Sequence, residues 1–230
     1  LSDYTLSVGL IGPGLIGKTV LKQIAERQHI LKQKFNLDVR IRAICNTQKL
    51  IKDPTQLHLQ TWEKQLAQSD LKSNLSEFGQ SVKADHIPHS VIIDCSSSEE
   101  VADCYPQWLK EGIHVITPNK KAGSGPLVRY QQVRRNEKEY QRHFFCEATV
   151  GAGLPVVSTL QDLLQTGDEV VSIEGILSGT LSYLFSQWYL PEWVNRNFSE
   201  LVLLAKQKGY TEPDPRDDLN GKDVARKVII

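Results

Sequence analysis

The stretch Thr5–Lys18, TLSVGLIGPGLIGK, decides the fold of this chain. Its apolar beginning, Thr5–Ile11, predicts a short buried strand, and the pattern Gly12-x-Gly14-x-x-Gly17 follows directly. Between a strand and a helix, the first glycine permits a tight turn, the second lets the backbone approach a pyrophosphate, and the third lets helix and strand pack closely. The N–H groups that open the helix then face the anion. The predicted nucleotide contacts in this turn are Gly12, Gly14, Leu15, Ile16 and Gly17. The alternative is a glycine turn that serves packing only.

The sequence around this turn predicts a parallel sheet. Apolar residues recur at helical spacing from Leu15 to about Lys34, and Val39–Cys45 reads as a second strand. A strand–helix–strand opening implies parallel strands with a right-handed crossover. Further strands are predicted at 90–95, 113–116 and 143–146, and helices at 57–67, 75–83, 99–110 and 125–142. Pro106 should kink the third of these helices. Residues 1–147 are therefore predicted to form a Rossmann-type, doubly wound α/β domain.

The character of the sequence changes at the glycine-rich run ATVGAGLP, so we place a domain boundary within 147–153. Residues 148–230 are predicted to form an incomplete α+β domain for substrate binding and dimerisation. Its strand is expected at Val170–Leu177, and its helices at 154–164, 181–188, 198–208 and 218–230. The chain does not begin with Met, and its last helix ends in apolar residues without a cap. We therefore expect a piece of a longer polypeptide.

The end of the second strand, AICNTQK, bears on the choice of cofactor. An acidic residue there would hold a ribose 2′-hydroxyl and favour NAD. That residue is missing, and Asp38 lies at the opposite end of the strand. Asn46, Thr47 and Lys49 are suited to a 2′-phosphate instead. The sequence favours NADP, with NAD tolerated.

The stretch GYTEPDPRDDLNGKDVARK, residues 209–227, places several carboxylates beside a lysine. Asp223 and Lys227 are four residues apart, so they share one face of a helix, and helix-stabilising ion pairing is the simplest explanation. That explanation leaves out the Pro-rich loop, which fixes the carboxylate of Glu212. Carboxylates suit a substrate ammonium group, and a nearby lysine suits proton transfer to or from an oxygen. With a nicotinamide, these groups predict oxidation of an amino-acid alcohol, or reduction of its aldehyde.

The bulk composition excludes some partners. Lys and Arg number 27, as do Asp and Glu, so the formal net charge is zero. This balance argues against a nucleic-acid or anionic-membrane partner. No apolar run is long enough to span a bilayer, and the four cysteines form no CxxC motif.

The stretches GPGLIG, HVITPNKKA, EATVGAGLPVVSTL, EGILSGTLSY and GYTEPDPRDDLNGKDVARKVII resemble homoserine dehydrogenase. They look most like the enzyme fused behind aspartate kinase in plants and enteric bacteria, with the C-terminal part absent. The resemblance implies reversible, NAD(P)H-dependent reduction of L-aspartate 4-semialdehyde to L-homoserine, in threonine, methionine and isoleucine biosynthesis. It also implies a homodimer in the full-length protein and a plastid location in a plant, or a cytoplasmic one otherwise.

The resemblance implies a role for each matching residue. Lys227 is the expected proton donor, and Lys120 the expected lysine at the junction of cofactor and substrate. The expected contacts of the substrate amino group are Glu212 and Asp223, with Asp218 near them. Ser96 is expected to contact the nicotinamide or its ribose.

A monovalent-cation site is also implied by the resemblance of EATVGAG to the family's cation loop. The expected ligands of Na⁺ or K⁺ are Glu147 and the main-chain carbonyls of Val150, Ala152 and Leu154. The residues by themselves also fit a glycine-rich hinge between domains.

Two other functions remain open at this point. An aspartate-semialdehyde dehydrogenase would need a nucleophilic thiolate, and Cys146 is the candidate. An inactive, truncated fragment would bind nucleotide or dimerise without turnover.

Overall fold

The computed structural model describes residues 4–84 and 86–230. The chain divides into two compact units at the peptide bond between Thr149 and Val150. Each unit has its own buried apolar residues and is described by itself.

The first unit is built on one sheet. Its strands are β1 Tyr4–Ile11, β2 Leu37–Cys45, β3 Leu50–Lys52, β4 His89–Asp94, β5 Ile113–Ile116 and β6 Phe144–Phe145. Their order is β3-β2-β1-β4-β5-β6, and every neighbouring pair is parallel except β2 with the short β3. The predicted doubly wound, mainly parallel sheet is confirmed. The antiparallel edge strand β3 was not expected from the sequence.

The helices of the first unit are α1 Leu15–Phe35, α2 Trp62–Gln68, α3 Leu75–Val82, α4 Glu99–Asp103, α5 Tyr105–Lys110, α6 Lys121–Ser124 and α7 Leu127–Glu139. The single helix predicted at 99–110 is two helices that meet at Cys104. Pro106 explains the break, because proline has no N–H to donate and is tolerated in the first turn of α5. The helix predicted at 57–67 begins only at Trp62.

Apolar side chains pack on both faces of the sheet. Val8 and Leu10 of β1 belong to the cluster that includes Leu21 of α1, whereas Ile11 belongs to the cluster that includes Phe78 of α3. This alternation follows the two-residue period of a strand. A side chain on Gly9 would overlap Phe78, so this glycine lets α3 pack closely. Burial on both faces explains why the later parts of β1 and β2, Val8–Ile11 and Ala43–Cys45, are continuous apolar runs.

The order of the strands reverses at β1, which lies between β2 and β4. Backbone hydrogen bonds tie the residue that follows one strand to the last residue of its neighbour: Gly12 N donates to Cys45 O at 3.0 Å, and Cys95 N donates to Ile11 O at 2.8 Å. The crevice at such a reversal is where open α/β sheets bind ligands.

The second unit is helical. Its helices are α8 Val156–Gln165, α9 Gly179–Trp188, α10 Phe198–Gln207, α11 Pro215–Leu219 and α12 Lys222–Ile229, with a 3₁₀ turn at Pro191–Trp193. The buried cluster joins Leu184 of α9, Trp193 of the turn, and Leu201 and Ala205 of α10.

The strand predicted at Val170–Leu177 is wrong. That segment has no regular structure, and Val171 and Ile176 are 96% and 84% exposed. A β-strand needs a hydrogen-bonded neighbour, and the described residues of this unit include no strand to supply one. The single helix predicted at 218–230 is also wrong. It breaks at Gly221, whose φ of +77° lies in the left-handed region that ends helices.

No helix within 4–84 and 86–230 is both long enough and apolar enough to cross a membrane.

Candidate active site

The three glycines of the turn after β1 have different surroundings. Gly12 has a φ of +77°, and a Cβ there would lie 2.7 Å from Ser96 N. A Cβ on Gly17 would lie 2.4 Å from the carbonyl oxygen of Gly12. Around Gly14 a Cβ would meet no described atom within 4 Å. Gly12 and Gly17 therefore serve the backbone and its packing, whereas the open space at Gly14 suits an approaching pyrophosphate.

A cleft of about 700 Å³ lies at this end of the sheet. Its lining includes six of the residues predicted to bind nucleotide, namely Gly12, Gly14, Asn46, Thr47, Lys49 and Ser96. Leu15, Ile16, Gly17 and Lys120 do not line it. Leu15 and Ile16 point largely into solvent at the start of α1, so only their backbone N–H groups suit an anion.

Polar groups at the end of β2 form one wall of this cleft. Asn46 Oδ1 accepts hydrogen bonds from the backbone N–H groups of Gln48 (2.8 Å) and Lys49 (2.7 Å), so this side chain shapes the turn. Lys49 Nζ donates to Ala67 O at 2.5 Å. Lys18, which the sequence reading overlooked, also lines the cleft and pairs with Glu63 at 3.0 Å. Its position in the first turn of α1, directly after the glycine pattern, could have identified Lys18 from the sequence.

The predicted nicotinamide contacts follow β4 and β5. Ser96 lies two residues beyond β4, and its Oγ accepts a hydrogen bond from Ser98 N at 3.2 Å. Lys120 lies immediately before α6, and its carbonyl accepts hydrogen bonds from Ser124 N and Oγ. Both residues therefore stand at the carboxyl side of a parallel strand, where the sequence placed them.

A second cleft, of about 590 Å³, lies within the second unit. The described structure brings together all four residues that the sequence assigned to substrate binding and proton transfer in this region: Glu212, Asp218, Asp223 and Lys227. Thr180, Tyr183 and Tyr210 also line this cleft and were not singled out from the sequence.

Lys227 is held by two contacts. Its Nζ lies 2.7 Å from Asp223 Oδ2, one turn earlier on α12, and donates to Leu177 O at 2.7 Å. Asp223 is buried, which strengthens a charge pair relative to one in water. The amine is thus fixed in direction and lies at the wall of the cleft.

Asp218 is buried, and both of its carboxylate oxygens are engaged. Oδ1 lies 2.7 Å from Thr180 Oγ1, and Oδ2 accepts a hydrogen bond from the backbone N–H of Glu212 at 2.9 Å. Asp218 thereby positions the loop that carries Glu212. Pro215 opens α11 after this loop, and Asp214 caps that helix.

The loop predicted to hold a cation turns sharply. Gly151 and Ala152 both have positive φ, at +79° and +53°, and Leu154 O accepts a hydrogen bond from Val156 N at 2.9 Å. Glu147 begins a 3₁₀ turn at the end of the first unit. Among the described residues, no three His, Cys, Asp or Glu side chains cluster as metal ligands. The predicted Na⁺ or K⁺ ligands are one carboxylate and three main-chain carbonyls, so the lack of such a side-chain cluster does not test them.

Cys146 does not have the surroundings of a nucleophile. Burial raises the pKa of its thiol above the ordinary value, with Arg134 opposing that effect. A raised pKa depletes the thiolate, which is the reactive form. This finding disfavours the aspartate-semialdehyde dehydrogenase alternative.

Comparison with known proteins identifies the family. The profile described as homoserine dehydrogenase, NAD binding domain, matches residues 12–147, and that described as homoserine dehydrogenase matches residues 155–230. The chain is 50% identical to bifunctional aspartokinase/homoserine dehydrogenase 1, chloroplastic, of Arabidopsis thaliana, over all of this chain and 25% of that protein. It is 40% identical to the homoserine dehydrogenase of Schizosaccharomyces pombe, over all of this chain and 61% of that protein.

A solved structure shares the fold. It is a hyperthermophilic archaeal homoserine dehydrogenase in complex with NADPH, with a TM-score of 0.74 and 22% identity, and the match covers 98% of this chain and 68% of that one. The chain spans about a quarter of the length of the plant relatives that it matches. The two profiles together match most of its residues, so the chain belongs to the homoserine dehydrogenase family.

Proposed function

We propose that the protein carrying this chain reduces L-aspartate 4-semialdehyde to L-homoserine, reversibly and with NADPH. The observation that carries the proposal is the Lys227–Asp223 pair, which shares a cleft with Glu212 in the second unit. Residues 1–147 are proposed to bind the nucleotide, and residues 148–230 the substrate.

The substrate carries an ammonium group and an aldehyde, and the cleft has a group for each. Glu212 and Asp223 are proposed to hold the ammonium, and Asp218 to fix the Glu212 loop from behind. Lys227 is proposed to donate a proton to the aldehyde oxygen as that oxygen becomes a hydroxyl. Bound NADPH supplies the hydride that reduces the aldehyde carbon. In the reverse direction Lys227 takes the proton back from the hydroxyl of homoserine.

The first unit fits a dinucleotide with a 2′-phosphate. The open space at Gly14 leaves room for the pyrophosphate. At the end of β2 the cleft is lined by Asn46, Thr47 and Lys49 rather than by an acid. Cationic and amide groups there suit a phosphate ester, so we propose NADP as the preferred cofactor, with NAD tolerated. Ser96 and Lys120 are proposed to lie at the nicotinamide end.

A monovalent cation is proposed at the turn after Glu147. Glu147 and the carbonyls of Val150, Ala152 and Leu154 are hard oxygen donors, which suit Na⁺ or K⁺. The left-handed φ angles of Gly151 and Ala152 support this assignment, because they bend the main chain sharply between the proposed carbonyl donors.

The full-length protein is proposed to be a homodimer, since α8 has no buried residue and leaves Leu163 and Leu164 exposed.

Plant relatives at 46–50% identity are named chloroplastic. We therefore propose a plastid location if the source is a plant and a cytoplasmic one otherwise. Gel filtration and immunoblotting of isolated organelles test these two points.

The test of the proposed reaction is NADPH oxidation by the full-length protein, with and without L-aspartate 4-semialdehyde. The 230-residue chain and a Lys227→Ala variant are assayed beside it. Semialdehyde-dependent oxidation that the variant loses supports both the reaction and the proton donor. Nucleotide binding without such oxidation by the full-length protein would overturn the proposal. If only the 230-residue chain is inactive, it is a fragment with an incomplete site.

A further inference from the structure

We propose that Asp94 is a positioning residue that fixes the nicotinamide end of the nucleotide site, by holding both Ser96 and the loop of Lys120. The inference rests on the proposed function, because it takes these two residues as nicotinamide contacts. Asp94 itself does not line the cleft, so it acts through other residues.

Asp94 is the last residue of β4 and is fully buried. Its Oδ1 accepts a hydrogen bond from Ser96 N at 2.7 Å. Its Oδ2 accepts one from Asn119 Nδ2 at 3.0 Å and another from the hydroxyl of Tyr105. One carboxylate therefore joins the loop after β4 to the loop after β5.

Asn119 carries this constraint to both sides of Lys120. Its backbone N–H donates to Thr117 Oγ1 at 2.8 Å, and its Oδ1 accepts from Lys121 N at 3.0 Å. Its Nδ2 also donates to Ser98 O at 2.9 Å, which returns to the loop of Ser96. The residues before and after Lys120 are thus tied to the carboxylate, directly or through one hydrogen bond.

Thr117 and Tyr105 complete the surroundings of the carboxylate. Thr117 Oγ1 donates to the main-chain carbonyl of Asp94 at 2.9 Å. Burial, and then the charge of Asp94, raise the pKa of Tyr105 well above its ordinary value, so this hydroxyl keeps its proton and donates. Hydrogen bonds to an ionised group are shorter and stronger than neutral ones.

Packing of β4 against β5 does not by itself require a carboxylate at this position. A buried carboxylate is costly unless donors satisfy it, and an apolar pair would pack β4 against β5 without that cost. The carboxylate adds direction, because its hydrogen bonds fix where two loops leave adjacent strands. Those loops leave at the ligand-binding edge of the sheet.

Arg129 anchors the same loop from its other side. This buried side chain of α7 contacts Glu99 at 2.6 Å and Asp103 at 2.5 Å, and it donates to the carbonyl of Lys121. The segment that carries Lys120 is therefore held between α4 and β4, and it is not a solvated loop.

The test compares two ligands of the full-length protein, NADPH and 2′,5′-ADP, which lacks the nicotinamide and its ribose. In Asp94→Asn, the NH₂ group of the new amide would face groups that are themselves hydrogen-bond donors. We therefore expect the Kd of NADPH to rise about tenfold or more. The Kd of 2′,5′-ADP should stay within about twofold, because the adenylate half of the site is untouched. Calorimetric titration measures both constants without turnover, and kcat is expected to fall with NADPH affinity.

Asn119→Ala is the second variant, since it breaks the link to Lys120 and leaves the buried carboxylate in place. Asn119→Ala should also weaken NADPH binding much more than 2′,5′-ADP binding. If Asp94→Asn does not fold, this variant alone tests the proposal. The matched control is Asp70→Asn, at an exposed position. It should leave the Kd values of NADPH and of 2′,5′-ADP unchanged. Equal weakening of both ligands would show a structural role only, and an unchanged NADPH affinity would also overturn the proposal. The two Kd values are measured without turnover, so they test the role of Asp94 separately from the reaction. If the proposed function is wrong, the parent protein will instead fail to reduce the semialdehyde.

Discussion

The Nζ atom of Lys227 lies 2.7 Å from the Oδ2 atom of Asp223, and the same amine donates a hydrogen bond to the carbonyl of Leu177. The i,i+4 spacing on α12 is local, whereas the contact with Leu177 joins residues 50 positions apart. The lysine therefore has a fixed direction in the cleft, as a general acid needs.

We expect Lys227→Ala to lower kcat by about 100- to 10,000-fold, the usual contribution of a general acid, with NADPH affinity kept. Steady-state assays with the semialdehyde and calorimetry with NADPH measure the two quantities. Lys222→Ala is the control, because Lys222 lies on the same helix, is exposed, and is absent from the cleft lining. Turnover of Lys227→Ala within a few-fold of the parent would mean that another group donates the proton.

Glu212→Gln is expected to act on substrate binding. It removes the charge that we propose faces the substrate ammonium, so the KM for the semialdehyde should rise about 10- to 100-fold, the value of one hydrogen bond to a charged group. The kcat should change much less. Glu192→Gln, an exposed carboxylate outside the cleft, is the comparison. A fall in kcat at unchanged KM would argue for a role in chemistry rather than in binding.

The glycine turn predicts opposite outcomes for two alanine substitutions. Gly14→Ala should fold normally, because its φ of −78° suits alanine and the added Cβ meets open space, yet it should weaken NADPH binding. Gly17→Ala should lower the melting temperature, because its Cβ would lie 2.4 Å from a backbone oxygen. Thermal melts and nucleotide titrations separate the two effects.

Gly175→Ala is the control for Gly14→Ala, since its Cβ also meets open space but lies in the second unit. It should leave both melting temperature and NADPH affinity unchanged. If Gly14→Ala binds NADPH as tightly as the parent does, the pyrophosphate does not approach the backbone there.

His114 predicts a pH dependence of stability. Burial lowers its pKa from 6.5 to about 4, and the nearby charges of Arg142, His143 and His89 act in the same direction. Between pH 6.5 and about 4 the unfolded chain therefore binds a proton that the folded one does not. Stability from this group is present above pH 6.5, is lost as the pH falls through that window, and is constant below it.

Replacing His114 by Gln should make the free energy of unfolding fall less steeply over the same window. Urea unfolding at several pH values measures this slope, and the difference from the parent removes the contribution of the carboxylates. His29→Gln, at an exposed position of α1, should leave the slope as in the parent. A His114 variant with the parental slope would contradict the lowered pKa.

The sequence by itself determined the features that depend on neighbours along the chain. The period of apolar residues predicted five of the six strands, and glycine spacing predicted the turn, because the left-handed φ of Gly12 favours glycine and the contact at Gly17 leaves no room for a Cβ. The helical period likewise placed Asp223 and Lys227 on one face of α12. These constraints are local and can be read without knowing what lies opposite.

The tertiary structure decided the rest. Asp94 and Asn119 are 25 residues apart, and Thr180 and Asp218 are 38 residues apart, so no local sequence pattern predicts their hydrogen bonds. The apolar residues of Val170–Leu177 have the composition of a strand but lack a strand partner in their own unit, and composition cannot reveal that. A buried polar group is recognised only when the fold supplies its partners, because its stability comes from hydrogen bonds made across the chain and not along it.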